Sequence, residues 1–211
     1  MIKIAIADDH PIVRSGLKQI IGDEADLQIV GDAANGRKLL EIVRSIKVDV
    51  VVLDLAMPGM DGIDVLKQIK AEAPETAVII LTLHPEAQYA LRLLRAGADG
   101  YVTKASATDE LIKAVRKVHM GGKYIGPELA ERIAFQLDGD APERPHERLS
   151  DREYQVFLML AAGKTVSEIA DKLALSVKTV STYRTRILEK THLENNAEIT
   201  RYAIRAGLID I

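Results

Sequence analysis

Short apolar runs rich in Ile, Val and Leu recur along the first 120 residues, at 2–7, 27–31, 49–53, 77–81 and 100–102. Between them, apolar residues return at helical spacing. Val13, Leu17, Ile20 and Ile21 form the first set, and Leu39, Leu40, Ile42, Val43 and Ile46 the second. Val65, Leu66 and Ile69 follow, then Leu91, Leu93 and Leu94, then Leu111, Ile112, Val115 and Val118. Strands that are apolar almost throughout are buried on both faces, so the pattern predicts a parallel sheet covered by helices on each side. This is a doubly wound α/β domain of five strands, in which ligands gather outside the carboxyl ends of the strands.

The grammar then changes. Gly121-Gly122 breaks the last helix, and Pro127, Leu129, Ile133, Ala134 and Leu137 predict one short helix near 127–137. Asp138 to Pro145 is polar and contains Pro and Gly, as a linker does. The organisation expected is a first domain over 1–120, a linker over 121–148 and a second domain over 149–211. No strand pattern appears in the second domain. Ser150 with Glu153 forms a capping-box signal for a helix that ends at Gly163. Thr165 opens a second helix, Leu175-Ser176 makes a turn and a cap, a third helix spans about 177–190, and Asn195 caps a fourth. Four short helices, two of them joined by a tight turn, have helix-turn-helix proportions.

Composition narrows the function classes. A chain of 211 residues with 47% apolar residues can build two ordinary cores. With no cysteine, disulfides and thiolate metal sites are excluded, which fits a reducing compartment. Neither a secretion signal nor an apolar run long enough to span a bilayer is evident, so a cytoplasmic protein without a membrane partner is expected. The net charge of -3 does not describe a protein that coats nucleic acid. It does conceal one basic helix, because residues 176–190 carry Lys178, Arg184, Arg186 and Lys190 against Glu189 alone. That is the electrostatic footprint of an element meeting phosphates.

Chemistry concentrates at strand ends. The first apolar run ends in Asp8-Asp9 and the third in Asp54, while Thr82 and Lys104 close the fourth and fifth. Converging carboxylates supply the oxygen ligands that Mg²⁺ requires. A carboxylate can also be a nucleophile. A hydroxyl and an ammonium at neighbouring strand ends could both reach a phosphoryl group on Asp54, and phosphoryl transfer depends mainly on positioning and electrostatic stabilisation.

Residues 1–120 resemble a bacterial two-component receiver domain, whose fold is flavodoxin-like. Ala7-Asp8-Asp9-His10-Pro11 and the segment Leu53 to Gly62 carry the resemblance. It implies that a partner histidine kinase phosphorylates Asp54. It also implies that Asp9, Asp54 and the carbonyl of Ala56 bind Mg²⁺, with Asp8 acting through water. Thr82 and Lys104 would hold the phosphoryl group, and Tyr101 would be the switch aromatic. His10 is read as a helix-start residue without a catalytic role.

Residues 149–208 are similar to the NarL/FixJ class of DNA-binding domains, the LuxR-type helix-turn-helix. The matching segments include Leu149 to Glu153, Ala161 to Thr165, Glu168-Ile169-Ala170 and Leu175 to Val180. Departures are Tyr183 in place of a frequent histidine, Thr191-His192 at a turn, and Asn196 in place of a frequent arginine. Val180 and Ile187 are seven apart and should face the core, which turns Lys178, Ser181, Thr182 and Thr185 outward toward base edges. Arg184 and Arg186 flank that face and suit phosphates. With Thr179, these make up the expected DNA-binding set. The pairing with a receiver implies a transcriptional regulator that dimerises when phosphorylated, binds double-stranded operator DNA and meets RNA polymerase. Two other readings remain open at this point: a phosphorylation-independent DNA-binding protein with a vestigial receiver, and an aspartyl-phosphate phosphatase using Asp54.

Overall fold

The computed structural model describes residues 1–55, 57, 59–60, 62–82, 87–127, 129–131 and 144–209. The chain divides into two compact units, Met1–Asp138 and Gly139–Ile211. No helix among the described residues is long and apolar enough to cross a membrane.

The first unit is a parallel sheet flanked by helices. Its strands are β1 (Ile2–Ala7), β2 (Leu27–Ala33), β3 (Val50–Asp54), β4 (Ala77–Thr82), β5 (Gly100–Thr103) and β6 (Tyr124–Ile125), in the order β2-β1-β3-β4-β5-β6. The helices are α1 (Pro11–Gly22), α2 (Gly36–Ser45), α3 (Gly62–Glu72), α4 (Ala87–Arg95) and α5 (Ala107–His119). Ile4, Ile6, Val50, Val52, Ile79 and Leu81 share a core with Leu17 and Ile21 of α1 and Leu111 and Val115 of α5. Their alternate neighbours Val51, Leu53, Val78 and Ile80 are also fully buried, as period-two strands covered on both faces require. Each such side chain contributes about 1.5–3 kcal/mol on leaving water.

Among the described residues the sheet has six strands where the periodicity predicts five. Tyr124–Ile125 is too short to carry an alternation signal, and it follows directly on the breaking glycines. It is a strand because β5 offers a free edge: Gly100 pairs with Tyr124 and Tyr101 with Ile125. The Lys123 ammonium fastens the approach by donating to the Ala98 carbonyl and to Asp99 Oδ1, both at 2.8 Å. Pro127 and 129–131 are helical, and the remainder of the helix expected near 127–137 lies outside the described residues.

Among the described residues the second unit holds four α-helices, α6 (Asp151–Ala161), α7 (Val166–Leu173), α8 (Val177–Thr191) and α9 (Asn196–Arg205). All four predicted caps form. The Ser150 hydroxyl accepts from the Glu153 amide while Glu153 Oε2 accepts from the Ser150 amide at 2.7 Å, a reciprocal capping box. Thr165 and Glu168 repeat it for α7, and Ser176 and Asn195 cap α8 and α9. Ala174 takes the left-handed conformation at φ 52°, ending α7 and leaving three residues before α8.

Structure begins earlier here than residue 149. Pro145–Arg148 forms a 3-10 turn, and the buried His146 lies among Tyr154 and Tyr202, with its Nδ1 2.5 Å from the Tyr202 hydroxyl. A single histidine in a polar, Pro-containing stretch gives no periodic signal, so the sequence has the pattern of a linker where the structure places this anchor.

Glu153 ties the caps to the core of this unit. It is almost fully buried, and Lys190 of α8 donates to its Oε2 at 2.5 Å. Burial pushes the Glu153 carboxyl up, but the Lys190 and Ser150 contacts outweigh this and hold it below 4.5. A carboxyl depressed in the folded state contributes stability that is present above its unfolded pKa and lost as pH falls through the folded value. Helical signal against denaturant should therefore show this unit weakening below about pH 4.5, the ordinary glutamate value. Glu153→Gln should remove much of that dependence while costing stability at neutral pH.

Candidate functional sites

Strand register assembles the first site. Ala7 pairs with Leu53, so the next residues, Asp8 and Asp54, stand side by side at the carboxyl edge. Asp54 pairs with Leu81, which sets Thr82 one step further out, and Thr82 pairs with Thr103, the residue before Lys104. The edge of the central strands thus carries every acidic residue singled out in the sequence together with the hydroxyl and the lysine. The Lys104 amide donates to the Thr82 carbonyl at 2.6 Å, locking the start of the loop that aims its side chain.

Asp8 and Asp54 are 0% and 2% exposed. Two carboxylates so close and so dry would repel strongly unless something cationic stood between them. The Lys104 ammonium does so, lying 2.8 Å from Asp54 Oδ2 and 2.7 Å from Asp8 Oδ2. Burial opposes its charge, yet the bonds to Asp54 and Asp8 raise its pKa above the usual lysine value. It is the fixed counter-charge of the site.

Asp9 is more open and points its Oδ1 at the His10 ring, 2.8 Å from Nδ1. His10 is the N-cap of α1, with Pro11 at the first helical position, as the sequence indicated. Its amide donates to Asp8 Oδ1 at 2.7 Å, and Arg14 Nη1 donates to the Asp8 carbonyl at 2.7 Å. Sequence reading missed Arg14. It braces the acidic turn, and its position one helical turn after His10 was the available signal.

Ligand atoms of Asp8, Asp9, His10 and Asp54 all lie within 4.8 Å of one another. Asp8 Oδ2 and Asp9 Oδ1 are buried atoms, with the Lys104 ammonium beside the first and the His10 ring beside the second. Such oxygens fit a hard divalent cation like Mg²⁺, which takes carboxylates and retains several waters. Ala56, the expected carbonyl ligand, lies outside the described residues. Thr82 is 7% exposed at the end of β4, and Tyr101 is buried within β5. At the start of α3, a Cβ on Gly62 would come 2.6 Å from Leu55 Cα, so the backbone after Asp54 is held tightly against that helix.

The second site is the outward surface of α8. Val180 and Ile187 are fully buried, and Lys178, Ser181, Thr182 and Thr185 are exposed on the opposite side. The Thr182 hydroxyl donates to the Lys178 carbonyl at 3.0 Å and that of Thr185 to the Ser181 carbonyl at 3.1 Å, so each is held yet still has lone pairs to offer. Thr179 bonds to Ser176 within the helix cap, with its hydroxyl 2.8 Å from that of Ser176. Lys178, Thr179, Thr182, Tyr183 and Arg186 line one surface hollow of about 260 Å³. At 100° per residue, Arg186 and Arg184 fall on opposite flanks of the polar face. Arg184 Nε donates to Asn196 Oδ1 of α9 at 2.7 Å.

A receiver-like acidic edge and a helix-turn-helix on one chain define a class, and the comparisons agree with it. Residues 4–116 match the response regulator receiver domain, and residues 147–203 match the luxR family of bacterial regulatory proteins. The chain belongs to the two-component response regulators that carry a LuxR-type DNA-binding domain. It is 38% identical to the response regulator GacA of Pseudomonas aeruginosa over 211 residues, covering 100% of this chain and 99% of that one. It is 37% identical to the response regulator UvrY of Escherichia coli K12, covering 99% and 96%. Among solved structures it is similar to RcsB of Salmonella enterica serovar Typhimurium bound to promoter P1flhDC in the presence of the phosphomimetic BeF3-. There the TM-score is 0.71, with 30% identity and coverage of 95% and 97%.

Lys104→Met leaves Asp8 and Asp54 buried without their ammonium. Breaking a buried pair in this way costs about 3–5 kcal/mol. Urea unfolding of the receiver in metal-free buffer at neutral pH should show a midpoint well below wild type.

Proposed function

We propose that this DNA-binding response regulator is switched by phosphorylation of Asp54 by a histidine kinase. The observation that carries the reading is the buried Asp54 carboxylate, paired with Lys104 at a sheet edge, on a chain that ends in a LuxR-type helix-turn-helix. An Asp54 oxygen attacks the phosphorus of a phosphohistidine. The new O–P bond forms as the P–N bond breaks, and the imidazole leaves. Lys104 neutralises charge on the arriving phosphoryl group. Asp9, Asp54 and the Ala56 carbonyl would hold Mg²⁺ directly, with Asp8 acting through water. The cation supplies charge neutralisation of the phosphoryl oxygens and of the crowded carboxylates.

The phosphoryl oxygens compete with Asp8 for Lys104 and draw on the Thr82 hydroxyl. The resulting displacement at β4 is passed to Tyr101 on the neighbouring strand. Phosphorylated chains dimerise and place two copies of α8 on paired half-sites, since one helix offers little contact surface. Lys178, Ser181, Thr182 and Thr185 face base edges. Arg184 and Arg186 take phosphates, and Thr179 keeps the helix start in shape beside them. RNA polymerase is the further partner of such a regulator, and the cytoplasm its place of action.

Asp54→Asn should take up no label from a small-molecule phosphodonor with Mg²⁺, whereas wild type labels and the label is lost in alkali. Asp9→Ala should label weakly and with little response to Mg²⁺. Full labelling of Asp54→Asn would overturn the assignment of the acceptor.

On DNA, Arg186→Ala should weaken binding to operator and random sequence alike and lower the salt slope by about one unit. Thr182→Ala should change base preference more than affinity. Salt titrations by fluorescence anisotropy separate the two, and wild-type behaviour of both variants would remove α8 as the reading element.

A further inference from the structure

The two arginines that flank the reading face are not equivalent. Arg186 is exposed, and among the described residues it makes no hydrogen bond or ion pair. Arg184 is half-buried, and its Nε is committed to Asn196 Oδ1 at 2.7 Å. Its terminal nitrogens, Nη1 and Nη2, have no partner among the described residues. A guanidinium held by Nε keeps both terminal donors pointing the same way, the arrangement that grips a phosphate with two parallel bonds.

The holder is itself rigid. Asn196 is the first residue of α9, directly after the Asn195 cap, whose side chain accepts from the Glu198 amide at 3.1 Å. The Asn196 carbonyl accepts from the Thr200 hydroxyl at 3.2 Å. Ile199 and Ala203, both fully buried, fix α9 to the core. Asn196 therefore sits on an element that does not yield when Arg184 is pulled. Asparagine also holds the guanidinium without adding a negative charge beside a phosphate, which aspartate would do.

We propose that Asn196 is a positioning residue for DNA binding, holding Arg184 so that its two terminal nitrogens meet one DNA phosphate. This rests on the reading of α8 as the DNA-contacting helix and of Arg184 as a phosphate contact. The function of Asn196 is to remove rotamer freedom before binding, so that the cost of ordering Arg184 is not met on the DNA. The residue belongs to the last helix, yet it acts on the affinity of the third.

The test uses the full chain and a mixed-sequence DNA duplex, titrated with salt. Asn196→Ala should bind about threefold to tenfold more weakly, the range for releasing one held side chain. Its salt slope should stay at the wild-type value, because the arginine remains and still reaches phosphate. Arg184→Ala should weaken binding and lower the slope by about one unit. Adding Asn196→Ala to Arg184→Ala should then cost nothing more. Arg184→Lys keeps the charge but loses the forked geometry that Asn196 holds, so it should behave like Asn196→Ala without disturbing α9. Thermal melts by circular dichroism confirm that each variant folds.

The proposal is overturned if Asn196→Ala or Arg184→Lys binds as wild type while Arg184→Ala is weakened. It is also overturned if Asn196→Ala costs the same in the Arg184→Ala background, since the amide then acts elsewhere. If Arg184→Ala itself keeps wild-type affinity and slope, the phosphate contact is wrong, and the role of Asn196 falls with it.

Discussion

The arrangement at the sheet edge depends on one ammonium between two buried carboxylates. Asp8 and Asp54 approach each other because parallel register leaves no alternative: with Ala7 beside Leu53, their successors must be neighbours. Left alone, that contact would disfavour the fold. Lys104 turns it into an attraction, and does so from the residue just after β5, two strands away from β3. One ammonium offsets only one of the two negative charges, so Asp8 and Asp54 share a single counter-charge.

Around this centre the chain uses backbone contacts to limit movement. Arg14 braces the Asp8 carbonyl, the Lys104 amide is bound to the Thr82 carbonyl, and Gly62 allows α3 to press against Leu55. The second unit follows the same principle on a smaller scale. Reciprocal caps fix the helix starts, and the buried Glu153 links the first of them to Lys190 on α8. The face of α8 turned to solvent is polar because the two apolar residues seven apart are fully buried.

Much of this was legible in the chain. Ile, Val and Leu runs gave the core strands because a strand buried on both faces cannot tolerate polar residues. Ser150, Thr165, Ser176 and Asn195 gave the helix starts because a cap is a local hydrogen bond between a side chain and an amide three residues on. The acidic strand ends were visible as residue types in place, and Val180 and Ile187 gave the inner face of α8. Three features were not visible. Tyr124–Ile125 is too short for periodicity, His146 looks like any linker residue, and the Arg184–Asn196 bond joins residues on different helices.

The sequence alone determined the five long strands, the helix starts capped by Ser150, Thr165, Ser176 and Asn195, and which residue types stand at the strand ends, because each of these is written in patterns within a few residues. Tertiary structure alone decided that Lys104 pairs with both Asp8 and Asp54, that a two-residue segment completes the sheet, and that His146 and Asn196 serve as anchors. Those outcomes depend on distances between residues far apart in the chain. Such distances are set only when strand register and helix packing bring them together, and no local pattern encodes them.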